Sequence, residues 1–90
     1  MFLQPKDYAL LKILFLFDVL NGGGGFHRAS LIAHWFGSSS STYRYLNRLT
    51  KGKYLHESTQ ETKRGIVKCW TLSKLGRNKV LYNWPQFKEI

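Results

Sequence analysis

Apolar residues fill most positions of Tyr8–Leu20, and only Lys12 and Asp18 interrupt them. Pro5 precedes this run, and proline is favoured in the first turn of a helix. The pattern predicts a first helix that the glycine run Gly22–Gly25 ends. Its apolar groups point in nearly every direction, which one small domain cannot cover. We therefore expect part of this helix to pack against a second copy of the chain.

A shorter apolar pattern predicts a second helix over Arg28–Phe36, which the following glycine ends. The serines Ser38–Ser41 come next, and serine hydroxyls suit the N-cap of another helix. A third helix is predicted over about residues 39–52. Leu46 and Leu49 lie three residues apart, so they share its buried face.

Polar and basic side chains occupy the opposite face of the third helix, with no carboxylate among them. These side chains are Tyr43, Arg44, Asn47, Arg48 and Lys51. Guanidinium, amide and phenol groups can hydrogen-bond the base edges and phosphates of DNA. Tyr45 lies closer to the buried side and is expected in the core. Helix, turn and basic helix together form a helix-turn-helix outline.

Strand-forming residues dominate two segments within residues 54–72, a region rich in β-branched and aromatic side chains. The polar loop Glu61–Gly65 separates them, and Lys63 and Arg64 make its tip basic. This pattern predicts a β-hairpin. Three apolar residues of its second strand are expected to face the core: Ile66, Trp70 and Leu72.

The last part of the chain predicts a fourth helix over about residues 73–84, capped by Ser73. Pro85 ends this helix and leaves a short tail. Trp84, Phe87 and Ile90 are apolar, so the tail is expected to pack on its own subunit or on a partner.

The net charge of the 90-residue chain is +9, and its distribution is uneven. Residues 1–20 sum to zero, residues 21–53 carry +5 and residues 54–90 carry +4. Positive charge is thus concentrated around the third helix, which is typical of proteins that bind a polyanion. The apolar content of 43% excludes a disordered tail.

The sequence gives little support to a metal site, a catalytic site, a phosphate loop or a membrane span. The three histidines and one cysteine lack the spacing of a metal site, and the five carboxylates form no evident acid–base pair, so we expect no enzyme activity and no cofactor. Because Cys69 is the one cysteine of the sequence, an intramolecular disulfide is excluded. Cys69 is expected to be a buried hydrophobe, and an intersubunit disulfide is left open. The four glycines lack the phosphate-loop pattern. The first apolar run is too short to cross a bilayer of about 30 Å, so a cytoplasmic protein without a membrane partner is expected.

Two stretches give the chain a resemblance to a known fold family. Ile32-Ala-His-Trp-Phe-Gly37 followed by Ser41-Thr-Tyr-Arg-Tyr-Leu-Asn-Arg-Leu49 resembles an Ile-Ala, glycine-turn and recognition-helix pattern. Leu72-Ser-Lys-Leu-Gly76 resembles the Leu-Thr-x-x-Gly signature that follows a wing. Over residues 8–82 the chain resembles winged helix-turn-helix regulators, both the multiple-antibiotic-resistance type and compact winged-helix proteins of archaeal viruses and plasmids.

The resemblance implies an α+β fold with a three-helix core, a two-stranded β-hairpin wing and a C-terminal helix. It also implies that the third helix enters the major groove and that the wing contacts the backbone or minor groove. The first and last helices would build a symmetric homodimer. Such a dimer would present its two recognition helices to successive major-groove faces about 34 Å apart, so a palindromic site is expected.

Individual roles follow from side-chain chemistry. Arg44 and Arg48 are candidate base readers or phosphate clamps, and Asn47 is a candidate adenine reader. The hydroxyls at the start of the third helix and the lysines at its end are expected to bind phosphates. The full set of predicted DNA contacts is Arg28, Ser39, Ser40, Ser41, Thr42, Tyr43, Arg44, Asn47, Arg48, Lys51, Lys53, Lys63 and Arg64.

The sequence thus predicts a transcriptional regulator that binds double-stranded DNA sequence-specifically as a homodimer. The alternative is a winged helix used for protein–protein interaction, with the apolar first helix and the aromatic tail as its contact surface. A neutral or acidic third helix would favour that alternative, and this third helix is basic. Single-stranded nucleic-acid binding is less favoured because the aromatic residues are expected to be mostly buried.

Overall fold

The computed structural model describes residues 2–22, 25–37 and 39–89, without the side chain of Ser39. The expectation that Gly23, Gly24, Ser38 and Ile90 take part in turns, caps or the tail lies outside the described residues. In chain order the elements are α1 (Pro5–Leu20), β1 (His27–Arg28), α2 (Ala29–Phe36), α3 (Ser39–Lys51), β2 (Leu55–Thr62), β3 (Gly65–Leu72), α4 (Lys74–Asn83) and a 3₁₀ helix (Pro85–Glu89).

Helix α1 begins where the proline predicts and ends at a glycine. Pro5 is its first residue, and the backbone N–H of Gln4 donates to Oδ2 of Asp7 over 2.7 Å, which satisfies a donor at the helix start. At the other end Gly22 has a φ of +76°, a left-handed conformation that favours glycine. The side chain of Asn21 also donates to the Phe17 carbonyl.

A short strand, β1, precedes α2 and was not predicted. Its two residues pair antiparallel with β3, His27 opposite Trp70 and Arg28 opposite Cys69. Arg28 is therefore extended and flanks α2, which begins at Ala29. A strand of two residues is too short to show the alternation by which strands are recognised in a sequence. The sequence pattern therefore predicts Arg28 as part of the second helix.

Helix α3 ends in a Schellman motif centred on a lysine. The Tyr54 N–H donates to the Leu49 carbonyl, and the Lys53 N–H donates to the Thr50 carbonyl. Lys53 holds the left-handed position with a φ of +70° and is the non-glycine residue with positive φ among the described residues. The sequence assigned the helix end to Gly52, one residue earlier. Lys53 thus carries a local strain that a glycine would relieve.

The sheet has three antiparallel strands in the order β1-β3-β2. Strands β2 and β3 form a hairpin that we call the wing, with Leu55 opposite Leu72 and Thr62 opposite Gly65. Its strands extend further than the predicted loop allowed, because only Lys63 and Arg64 lie in the turn. Because the two strands pair along their whole length, the wing is one continuous hairpin with a two-residue cationic tip.

The core lies between the four α-helices and the base of the wing. Its most buried side chains are Leu10, Leu11, Leu14, Ile32, Leu46, Leu49, Leu55, Trp70 and Val80. Leu46 and Leu49 of α3 are fully buried, and Tyr45 is buried as expected. Ile66 was expected to face the core, and that expectation is wrong, since it is 70% exposed. It pairs with Glu61 near the tip of the wing, beyond the reach of the helices.

Helix α4 is joined to the end of α3 by a dense set of backbone contacts. The Ser73 hydroxyl accepts from the Gly76 N–H and donates to the Lys53 carbonyl over 2.6 Å. The Ser73 N–H donates to the Tyr54 carbonyl. A Cβ at Gly76 would overlap that same carbonyl oxygen. The Leu72-Ser-Lys-Leu-Gly76 sequence therefore serves as a packing site in which both the hydroxyl and the missing side chain are needed.

The aromatic tail packs on its own chain. Phe87 stacks on Phe15 of α1 with ring centroids 5.5 Å apart, and the Lys12 ammonium lies 5.0 Å from the centre of the Trp84 ring. Of the two locations that the sequence left open, the described part of the tail takes the one on its own subunit.

These elements form a winged helix-turn-helix of the α+β class, with a three-helix core, a hairpin wing and a C-terminal helix, as predicted. Among the described residues, no helix has the length and apolar character needed to cross a membrane.

The close approach at Gly76 makes a stability prediction. Gly76→Ala should lower the free energy of unfolding by about 1–3 kcal/mol, because the new methyl group overlaps the Tyr54 carbonyl. Alanine normally stabilises a helix relative to glycine, so the sign of the effect is informative. Urea denaturation followed by circular dichroism measures it. The control is Asn78→Ala at an exposed position of the same helix, which should be neutral or gain about 0.5 kcal/mol. Equal stability of the two variants would contradict the close approach.

Candidate nucleic-acid interface

The outer face of α3 carries a stripe of polar and basic side chains. Arg44, Asn47, Arg48 and Lys51 follow the i, i+3, i+4, i+7 spacing of one helix face and line a shallow surface depression together. Arg44, Asn47 and Lys51 are exposed. We call these four residues the α3 stripe. Its lining contains guanidinium, amide and ammonium groups and no carboxylate.

Arg48, a predicted base reader or phosphate clamp, has partners inside the protein. Its Nε lies 3.3 Å from Oδ2 of Asp7, and its Nη2 donates to the Phe2 carbonyl over 2.6 Å. Asp7 is fully buried in the first turn of α1. The two residues are 41 positions apart in the chain, so only the packing of α1 on α3 brings this carboxylate to the basic helix.

The contacts of Arg48 use two of the five N–H donors of a guanidinium. Its side chain is 37% exposed, so part of the group still faces solvent. The other oxygen of Asp7, Oδ1, has no hydrogen-bond partner among the described residues. Arg48 therefore compensates a buried charge as well as contributing to the α3 stripe.

Arg44 is the exposed arginine of the stripe. Its guanidinium carbon lies 5.4 Å from the centre of the Tyr45 ring, a cation–π distance. Within residues 2–22, 25–37 and 39–89 no carboxylate pairs with it. Because Tyr45 is buried, the ring is a fixed platform that orients the guanidinium towards solvent.

The hydroxyl residues at the start of α3 do not share one role. Thr42 is fully buried, so its prediction as a phosphate contact is wrong. It stands four and seven residues before Leu46 and Leu49, which places it on the buried face by ordinary helix geometry. Ser40 is exposed and Ser41 is half-buried, whereas the side chain of Ser39 is outside the described set.

Tyr43 links α3 to the wing. Its ring meets Trp70 of β3 edge-on with centroids 5.8 Å apart, and about half of the side chain stays exposed. Trp70 is fully buried at the base of the wing. Tyr43, a predicted groove contact, thus also packs on the base of the wing and helps to hold the helix against the hairpin.

The remaining predicted cations are exposed. Lys63 and Arg64 form the tip of the wing, Lys53 lies just after α3, and Arg28 lies on β1. None of these four belongs to an ion pair among the described residues. On the wing itself, Lys68 pairs with Glu57 over 3.3 Å, so that cation is partly neutralised.

A second buried carboxylate, Asp18, ties together three elements behind this surface. Its Oδ1 lies 2.9 Å from Nε2 of His27, and its Oδ2 lies 3.8 Å from Nη2 of Arg77. These contacts connect α1 with β1 and α4. Both acids of the first 20 residues are therefore buried and paired inside the protein. Neither carboxylate faces solvent, so they compensate Arg48 and Arg77 and leave the neighbouring Lys6 and Lys12 without an acidic partner among the described residues.

No three histidine, cysteine or acidic side chains come together as a metal site in the described part of the chain. His27 has the core position described above. Cys69 is buried, as expected, and its sulfur lies 3.8 Å from Oε1 of Gln60.

No family model and no curated protein matches this chain. Among solved structures, the chain is similar to the crystal structure of a Streptococcus transcriptional regulator, with a TM-score of 0.54 and 17% sequence identity. The similarity covers 92% of this chain and 81% of that chain. At this level of identity the likeness concerns the fold, and it agrees with the winged helix-turn-helix architecture described above.

Proposed function

We propose that this protein binds double-stranded DNA sequence-specifically as a homodimer and thereby regulates transcription. The observation that carries the proposal is the α3 stripe: an exposed set of arginine, asparagine and lysine on the helix that this fold presents outward. The exposed cations of the wing tip and of Lys53 add to the positive surface of the protein. The solved structure with the same fold that is named above is itself a transcriptional regulator.

The stripe suits a duplex in shape as well as charge. An α-helix fits the major groove of B-DNA, where arginine can bind guanine O6 and N7 and asparagine can bind adenine. We assign base reading to Arg44 and Asn47. The N–H groups of Arg48 that contact neither Asp7 nor Phe2 bind a phosphate, and the wing tip contacts the DNA backbone beside the groove.

The proposed homodimer uses the first and last helices. An apolar groove lined by Ile13, Leu16, Phe17, Val19, Leu20 and Trp35 runs along the second half of α1, with no polar lining. Leu20 is 80% exposed and Trp35 is 66% exposed, which is costly for a free monomer in water. Tyr82 gives α4 a further exposed ring. A second copy could cover these groups and place two α3 stripes side by side.

Protein–protein interaction without DNA readout remains the second candidate function, because the same apolar groove could receive another protein. The cationic character of α3 favours DNA. Binding to duplex DNA by the purified protein distinguishes the two candidates.

The first prediction concerns salt. Five exposed cations carry this proposal: Arg44, Lys51, Lys53, Lys63 and Arg64. They should give log–log salt slopes of about −4 to −5 per subunit, which is a loss of about 10²–10³-fold in affinity between 50 and 200 mM salt. Fluorescence anisotropy with a labelled duplex measures this. Lys53→Gly is the informative variant, because it removes one cation and also relieves the left-handed backbone strain. It should reduce the slope by about 0.9 without lowering thermal stability. A protein with no measurable affinity for any duplex from a random pool would refute the proposed function.

The second prediction separates base reading from backbone contact. Arg44→Ala should reduce discrimination between a selected site and random duplex by about 10–100-fold, because a bidentate arginine–guanine pair contributes about 1–3 kcal/mol. Lys63→Ala should weaken all duplexes similarly and leave discrimination unchanged. Competition titrations with both duplexes measure the ratio. Equal behaviour of the two variants would reject these roles.

The third prediction concerns assembly. Leu20→Glu should convert the dimer to a monomer, because a carboxylate cannot be buried unpaired against the apolar groove. Light scattering coupled to size-exclusion chromatography measures the mass. Ile66→Glu is the matched control, since Ile66 is similarly exposed but lies near the wing tip. A wild-type monomer, or two variants with the same mass, would remove the groove from the assembly.

A further inference from the structure

Residues 2–6, which we call the arm, comprise the segment before α1 and the first two residues of that helix, and they are held against α3. The Phe2 carbonyl accepts from Nη2 of Arg48 over 2.6 Å. Leu3 is buried in the core cluster, and Asp7, directly after the arm, contacts Nε of Arg48. The arm is therefore held by the Leu3 side chain in the core and by the contacts of Arg48 with the Phe2 carbonyl and with Asp7.

The arm borders the α3 stripe. Arg48 lines the same surface depression as Arg44, Asn47 and Lys51, and Arg48 is also the residue that the Phe2 carbonyl contacts. The arm and the stripe consequently form one continuous surface. Any duplex seated on the stripe would come close to the arm, because a B-DNA duplex is much wider than one helix face.

The groups that the arm exposes are a cation and an aromatic ring. Lys6 is exposed and belongs to no ion pair among the described residues, whereas the neighbouring Asp7 is buried and paired with Arg48. The Phe2 side chain is 85% exposed. The sugar-phosphate backbone offers the complementary pair of groups, since each phosphate is an anion and each deoxyribose has an apolar face.

We propose that the arm is a further DNA-contacting site, in which Lys6 binds a backbone phosphate and Phe2 packs on an adjacent deoxyribose. Arg48 acts as the positioning residue that holds the arm beside the groove through the Phe2 carbonyl and Asp7. This inference rests on the proposed function and extends it to residues that lie outside the helix-turn-helix and the wing.

A double contact explains the use of Arg48. Lysine offers a single ammonium point, whereas the planar guanidinium can donate from Nε and Nη2 in two fixed directions. One group thereby joins the buried carboxylate of α1 to the backbone of the arm. The arm is ordered before DNA arrives, so less conformational entropy is lost on binding.

The salt dependence of binding tests the role of Lys6. In the 90-residue chain, Lys6→Ala should reduce the log–log salt slope by about 0.9 per subunit and weaken all duplexes several-fold. Lys88→Ala is the matched control, because Lys88 is an exposed lysine that lines a cavity with Val19 and Gly22 at the far end of α1. Lys88→Ala should keep the wild-type slope. A Lys6→Ala slope equal to that of wild type overturns the proposal.

Phe2→Ala tests the apolar contact. It should weaken binding about two- to tenfold at every salt concentration and leave the slope unchanged, because the ring carries no charge. The exposed ring contributes little to the fold, so thermal unfolding should be unaffected. Unchanged affinity would remove Phe2 from the site.

The positioning role predicts non-additivity. In an Arg48→Ala background residues 2–4 lose their contact with α3, so adding Phe2→Ala should weaken binding by much less than it does in the wild-type protein. A full change in that background overturns the role of Arg48. Thermal unfolding of Arg48→Ala checks that it folds, and if it does not, Arg48→Lys replaces it, which keeps the charge but loses the double contact.

The outcomes separate this inference from the proposed function. Failure of the wild-type protein to bind duplex DNA refutes both. Wild-type binding with loss of discrimination in Arg44→Ala, together with wild-type behaviour of Lys6→Ala and Phe2→Ala, overturns the arm alone.

Discussion

Two buried carboxylates connect the interior of this protein to its cationic surface. Asp7 is compensated by Arg48 of α3, and Asp18 by His27 of β1 and Arg77 of α4. Removing one partner of a buried charge pair typically costs about 3–5 kcal/mol, so these contacts constrain how α1 can sit on its neighbours. On the α3 stripe only Arg48 is paired with one of these acids, and among the described residues Arg44 and Lys51 have no acidic partner.

The wing and the last helix are fixed by a different kind of contact, which involves backbone atoms. Ser73 bridges the end of α3 and the start of α4, and Gly76 lets the Tyr54 carbonyl approach closely. The Tyr43 ring against Trp70 adds a side-chain contact between α3 and the wing. These contacts set the position of the wing-tip cations relative to the α3 stripe. An interface made of separate elements depends on such fixed angles, because phosphates and base edges have fixed spacing in a duplex.

Arg48 shows how one residue can belong to both the fold and the candidate site. As a partner of Asp7 it offsets the cost of a buried charge, and as a member of the α3 stripe it adds to the positive surface. Its bond to the Phe2 carbonyl makes the position of the arm depend on the same group. In this arrangement, stability of the first helix and the shape of the candidate interface are coupled through a single guanidinium.

Local pattern in the sequence was enough to predict the helices and the hairpin, because helical spacing, glycine and proline act within a few residues. The winged-helix class was implied by the resemblance to known regulators. Local pattern also identified Leu46, Leu49 and Tyr45 as buried, and the same spacing would have excluded Thr42 from the surface. Only the tertiary structure revealed strand β1, the exposed position of Ile66 and the pairing of Arg48 with Asp7. Strand β1 and the Arg48–Asp7 pair depend on contacts between residues far apart in the chain, and such contacts leave no periodic signal in the sequence. Ile66 is exposed because it lies near the tip of the wing, away from the helices. The amino-acid order thus determined which groups are present, and packing decided which of them face water.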